Sequence, residues 1–165
     1  MEKTLQFHSS ANTSINSRKL PYIYSHLNWD LLRGSRILDF GCGRYTYHIE
    51  WECKKHNVFY EGYDPFWKTV IQNAKAIDSN FNFVVCSNVL NVIDSDYEMN
   101  WIHEYIQSLG VPYGITIYEG DKTGFGRETR KECWQRNQRR GLYLKEGEVI
   151  LKNIITKPEY SNYFI

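Results

Sequence analysis

The residues with the most chemical potential are two carboxylates, Asp39 and Asp64, set 25 positions apart around the glycine pair of Gly41-Cys42-Gly43. Asp39 lies within the apolar run Arg36-Ile37-Leu38-Asp39-Phe40, and Asp64 follows the run Val58-Phe59-Tyr60-Glu61-Gly62-Tyr63. Glycines placed just after a buried strand let the backbone turn sharply and approach a ligand with no Cβ in the way. The helix that follows presents unpaired N–H groups. An acid closing the next strand can bind the two hydroxyls of a ribose. No basic residue is poised for phosphate, and Thr46 stands where a G-x-G-x-x-G fingerprint has its last glycine. The constellation therefore favours a nucleoside over a dinucleotide, and an NAD-dependent oxidoreductase ranks last. The competing reading is a structural tight turn.

Further candidates lie downstream. Asn88 and Asn91, in Ser87-Asn88-Val89-Leu90-Asn91, carry amides that could position a reacting group, or that simply cap a turn. Glu119 follows an apolar run and could act as a general base, or pair with a nearby arginine. His103 reads as a solvated helix residue and His48 as a satisfied surface histidine. Cys86 reads as a buried strand cysteine.

These residues need a scaffold that brings strand ends together. Pro21 opens a helix with Ile23, Leu27 and Leu31 on one face, and Gly34 closes it. Strands are expected at 36–40, 58–63, 81–86 and 113–118. Helices are expected at 45–55, at 67–77 with Val70, Ile71, Ala74 and Ile77 at helical spacing, and at 97–109 with Ile102, Tyr105, Ile106 and Leu109 as its stripe. Such alternation predicts a mostly parallel sheet with helices on both faces. Residues 148–155 suggest a late strand, antiparallel at the edge. Residues 1–18 read as a polar arm before a single domain at 19–165.

The formal net charge is +1, yet residues 122–140 hold seven basic and two acidic side chains, leaving −4 for the rest. Within this glycine-rich stretch, arginines beside Phe125 and Trp134 could stack on bases and neutralise phosphates. A solvated surface helix is the alternative. The four cysteines form no C-x-x-C pair and the five histidines no zinc pattern. Residues 1–19 lack a signal-peptide core, and no apolar run is long enough to span a bilayer. The expectation is a cytoplasmic chain with free thiols and no membrane partner.

Leu38-Asp39-Phe40-Gly41-Cys42-Gly43 resembles the first motif of class I S-adenosylmethionine-dependent methyltransferases. Asp64 matches the acid after their second strand, which holds the adenosine ribose in that family. Residues 87–93 are similar to the segment after their fourth strand, which borders the methyl-transfer site. The resemblance covers 36–120. Ser17-Arg18-Lys19, Tyr63-Asp64-Pro65-Phe66 and the Trp-Gln-Arg-Asn run at 134–137 are also similar to small methyltransferase-type proteins associated with DNA phosphorothioation, and to phage-type relatives.

The resemblance implies a Rossmann-like α/β fold with S-adenosylmethionine as cofactor. It implies cofactor contacts from Asp39, Gly41, Cys42, Gly43, Tyr45, Asp64, Pro65, Phe66, Ser87 and Asn88. Catalysis would involve Asn88, Asn91 and Glu119, and an anionic substrate would meet Arg18, Lys19, Arg127, Arg130, Trp134 and Arg136. Nucleic acid is one candidate acceptor. Three features depart from the family: Tyr45 replaces a third glycine, there is no room for the third strand and its helix, and no Pro-Pro-Tyr or Pro-Cys acceptor motif follows residues 81–86. The rival reading is a non-catalytic protein that binds S-adenosylmethionine, another nucleoside or nucleic acid.

Overall fold

Four short runs of mostly apolar residues pair in parallel. In the computed structural model, which describes residues 18–120, 124, 126–130 and 133–165, they are β1 (Arg36–Phe40), β2 (Phe59–Tyr63), β3 (Phe83–Ser87) and β4 (Tyr113–Thr116). Their order is β2-β1-β3-β4, with Leu38 opposite both Glu61 and Val84. β1 and β3 are flanked by strands and covered on both faces, which is why their sequences are nearly continuous in apolar residues. The chain moves outward from β1 to β2, then returns past β1 to β3. That reversal makes the carboxyl ends of β1 and β3 a topological switch point, the place where ligands bind in open α/β sheets.

Helices α2 (Tyr47–Lys55), α3 (Val70–Asp78) and α4 (Asp96–Ser108) make the crossovers. Thr69 and Gln72 form a capping box at the start of α3, and Ser95 caps α4 by accepting from the Glu98 amide. Alternate strand residues face opposite ways and build two cores. Leu38, Phe40, Val84, Cys86 and Ile115 pack with Ala76, Ile102 and Ile106 of α3 and α4. Ile37, Phe83 and Val85 pack with Ile49 and Cys53 of α2 on the other face. The result is a mixed α/β fold with helices on both faces of a mostly parallel sheet.

The second core is completed from both flanks of the sequence. A helix is expected from Pro21 to Gly34, but the chain forms a 3₁₀ turn at Tyr22–His26 and a short α1 at Trp29–Leu32. Between them, Leu27 turns extended and bridges Phe164, while the Asn28 amide donates to the Tyr163 carbonyl at 2.8 Å. The break re-phases the apolar face, so Leu32 is buried and Leu31 exposed. A Cβ on Gly114 would lie 2.7 Å from Ile23 Cδ1 and 2.9 Å from Phe164 Cζ, so the glycine of β4 is what lets both side chains sit on the sheet.

Two other elements differ from expectation. α3 begins at Val70, later than the expected position 67. Val70 and Ile71 are 86% and 82% exposed, while Ala76 and Ile77 face the sheet. The late strand divides into a hairpin, β7 (Val149–Leu151) and β8 (Ile154–Thr156). Lys152 and Asn153 turn it with φ of 50° and 65°, a turn that matches strand twist. β8 pairs antiparallel to β4 and β7 lies outside it, completing a six-stranded sheet.

At the opposite edge no strand lies beyond β2 among the described residues, because α3 leads directly to β3. The glycine-rich segment at 120–141 contains a separate two-stranded hairpin, β5 (Arg127–Arg130) and β6 (Cys133–Gln135). The polar arm up to residue 17, and Lys122, Phe125 and Lys131 of the basic stretch, lie outside the described residues. No helix among the described residues is long and apolar enough to cross a membrane.

Candidate ligand site at the carboxyl edge of the sheet

The loop after β1 is shaped by its glycines. Gly41 and Gly43 have φ of 89° and 78°, left-handed values that L side chains rarely adopt. A Cβ on Gly41 would collide with the side chain of Val89, which descends from the end of β3. Gly62 serves the same loop from β2, since a Cβ there would lie 2.9 Å from Cys42 Sγ. The Gly41 and Cys42 amides donate to the Tyr63 carbonyl at 2.8 and 3.0 Å. The loop is thereby fixed against the ends of β2 and β3 together.

Asp64 locks it further. One carboxylate oxygen accepts from the Gly43 amide and the other from the Phe66 amide, each at 2.9 Å. The Asp64 backbone is held by Asn73 of α3, whose Oδ1 accepts from the Asp64 amide at 2.9 Å. Asp64 is buried, although each oxygen keeps a lone pair for a further donor. Pro65 and Phe66 stand exposed beyond it.

Asp39 is buried one step deeper. Its Oδ2 accepts from the Tyr60 hydroxyl at 2.7 Å, while Oδ1 has no hydrogen-bond partner. Burial raises its pKa to about 6, against lowering by the Tyr60 and Tyr24 hydroxyls and by Lys68. Burial acts on the nearby thiols in the same direction, pushing Cys53 up to about 12 and raising Cys42 and Cys86 as well, which disfavours their thiolates. Cys86 is a buried strand cysteine as expected.

Above the loop lies a stack of guanidinium groups and rings. The Arg44 guanidinium is 5.2 Å from the Tyr45 ring centre and 4.9 Å from that of Trp67, and Arg18 approaches Tyr45 at 4.9 Å. His48 is half-buried and its Nε2 lies 3.1 Å from the Lys19 carbonyl, so residues 18–20 run over the start of α2.

At the end of β3, Asn88 is exposed with φ of 57°, and its amide donates to the Thr116 carbonyl at 2.8 Å. Ser87 accepts from the Thr116 hydroxyl at 3.3 Å. Asn91 is buried: its Nδ2 donates to Gln135 Oε1 at 3.2 Å, and its carbonyl accepts from the Arg136 amide at 2.7 Å. Glu119 accepts from the Arg140 amide at 2.8 Å and lies 3.5 Å from that guanidinium.

The basic stretch distributes its residues unequally. Arg127 is exposed. Arg130 is described by its backbone alone, in β5. Trp134 is half-buried and covers Gly126, where a Cβ would strike its ring. Arg136 is only 7% exposed; its Nε donates to the Ile93 carbonyl and its Nη1 lies 2.8 Å from Asp96. It ties β6 to the start of α4.

The structure thus brings Asp39, Gly41, Cys42, Gly43, Tyr45 and Asp64 together at one strand end, with the Ser87–Asn88 turn beside it. It does not bring Arg136 to an open surface. No family model matches this chain, and no curated protein or solved structure matches it. Among the described residues no group of histidine, cysteine and carboxylate side chains could hold a metal ion.

Sequence reasoning missed Tyr60, Asn73, Val89 and the Arg44–Trp67 stack, all of which act through contacts between different elements. It also misjudged His103, which is buried at the opposite end of the sheet with Nε2 2.8 Å from Glu148 Oε2. The same oxygen accepts from the Tyr113 hydroxyl at 2.6 Å and from Gln107 at 3.3 Å. Burial pushes the Glu148 carboxyl up, but hydrogen bonds from His103 and Tyr113 outweigh it and hold the group below its usual range.

Proposed function

We propose that the protein is an S-adenosylmethionine-dependent methyltransferase with a Rossmann-like sheet reduced at its β2 edge. The observation that carries this reading is the junction of β1, β2 and β3. Two left-handed glycines, Asp39 and Asp64 meet at the carboxyl ends of β1 and β2, beside the β1–β3 switch point where ligands bind in open α/β sheets. The residues fit a nucleoside: the Asp39 carboxylate, held by the Tyr60 hydroxyl and close to that of Tyr24, keeps acceptor capacity at Oδ1, and Asp64 retains lone pairs for ribose hydroxyls. Tyr45 would flank the ligand in place of the missing glycine.

When bound, the cofactor would supply a methyl group on a sulfonium. The chain's own part is to hold that group in line with a nucleophile and to exclude water. Asn88, exposed on its turn, is the residue best placed to position an acceptor.

A second reading, binding without turnover, rests on the engagement of Asn91 with Gln135 and of Glu119 with Arg140. Both side chains, the positioning amide of Asn91 and the candidate base Glu119, already have partners within the fold.

Calorimetric titration with S-adenosylmethionine, S-adenosylhomocysteine and NAD tests the assignment. Micromolar binding of both sulfur nucleosides, absence of NAD binding, and at least a tenfold loss in a folded Asp64→Asn variant are the expected results. Failure to bind either sulfur nucleoside overturns the proposal. Transfer of a labelled methyl group to cellular macromolecules separates turnover from binding alone.

A further inference from the structure

The outer face of α2 carries two large exposed rings, of which Tyr47 meets the His48 ring edge-on at 5.5 Å. Tyr47 and Trp51 are 58% and 68% exposed, one helical turn apart on the pole opposite the buried Ile49 and Cys53. Lys54 is exposed on the same pole. At the start of the helix lie Arg44 and Arg18, both exposed and stacked on Tyr45, with exposed Lys19 adjacent in sequence. Neither arginine has a carboxylate partner among the described residues. The acids of α2 are engaged: Glu50 accepts from Thr46 at 3.3 Å, and Glu52 pairs with Lys55 at 3.0 Å and His56 at 3.3 Å.

We infer that this strip is a docking site for single-stranded nucleic acid. Exposed aromatic faces offer stacking platforms to unpaired bases, and a flanking row of cations tracks the phosphates. Four residues of helix rise about 6 Å, so Tyr47 and Trp51 can each take one of two neighbouring bases. Arg44 and Arg18 face the backbone that leads from these bases toward the glycine loop. A duplex keeps its bases stacked on one another and cannot use the rings, so charge and aromaticity together select a single strand. The site is separate from the basic hairpin, where Arg136 is buried and Trp134 covers Gly126. It requires no bound nucleoside and stands independently of methyl transfer.

Fluorescence anisotropy with a labelled twelve-nucleotide oligothymidine tests it at low and moderate salt, using the full chain. The expected result is binding that weakens steeply with salt. Trp51→Ala and Arg44→Ala should each reduce affinity about fivefold or more, whereas Arg127→Ala should leave it within twofold. Trp51 fluorescence lies on the platform and should be quenched on binding. Calorimetric titration of Trp51→Ala with S-adenosylmethionine should match the parent, so loss of one activity is distinguishable from loss of the other. The inference is overturned by absence of binding at low salt, by unchanged affinity in the Arg44→Ala/Trp51→Ala double variant, or by preference for a duplex of the same length.

Discussion

The glycine loop after β1 and the basic hairpin β5–β6 both stood out in the sequence, and they are built in opposite ways. In the loop, chemistry-bearing residues are needed by the backbone itself: Gly41 and Gly43 occupy left-handed conformations and Asp64 accepts from the amides around it. Around the hairpin, residue type does not decide use, for one arginine packs inside and another stays exposed. Arg136 is buried against Ile93 and Asp96, while Arg127 remains outside. Residue type indicates use where local backbone geometry demands the residue. It misleads where use depends on which distant element arrives beside it.

The largest effect expected from this contrast is at Gly41. Gly41→Val combines a left-handed backbone with a Cβ driven into Val89, and should cost about 2–5 kcal/mol in urea unfolding. A loss below 1 kcal/mol would mean that the loop is freer than its contacts require.

The next effect depends on pH. Burial raises the pKa of Asp39 in the folded state to about 6, from an ordinary carboxyl value of 3.8. The folded state therefore favours the protonated form, and stability from this group is present below pH 3.8 and lost as pH rises through 6. Asp39→Asn should be more stable than the parent at pH 7 by at most about 3 kcal/mol, with the gain vanishing near pH 3.5. Parallel denaturation curves at the two pH values measure it. A variant less stable than the parent at pH 7 would show the ionised carboxylate to be favourable where it sits. Glu148 has the opposite sign, since its lowered pKa makes its contribution disappear as pH falls.

The smallest pair of effects sharpens the comparison within the hairpin. Arg136→Met removes a buried donor to the Ile93 carbonyl and should cost about 1–3 kcal/mol, read by thermal unfolding. Arg127→Ala, on the exposed strand, should stay within about 0.5 kcal/mol. Equal effects at the two positions would erase the distinction between buried and exposed arginines.

Much of the sheet was legible in the sequence because β1, β3 and β4 are short apolar runs, each followed by a turn or break. That no strand lies beyond β2 among the described residues was legible from the few residues between the helix expected at 67–77 and the strand expected at 81–86. The breakdown of the first helix was not, because Leu27 leaves it to meet Phe164, 137 residues away. The face that α3 buries was not legible either. Asn73 is committed to the Asp64 backbone, which sets the helix rotation and leaves Val70 and Ile71 outside. At the site, the glycines and both carboxylates were readable from spacing. Tyr60, Val89 and the Arg44 stack were not, because no local pattern announces a partner on another strand.

The bridge between Leu27 and Phe164 also bears on how the protein is made. Residues 22–32 leave the ribosome long before Phe164 is added, an interval on the order of ten seconds at about 5–20 residues per second. Once Phe83 and Val85 have joined Ile37 on the sheet, this face lacks one of its covering side chains until Phe164 arrives. A nascent chain halted before Phe164 would present that greasy surface to chaperones, and release of the hold would be the moment when the second core closes.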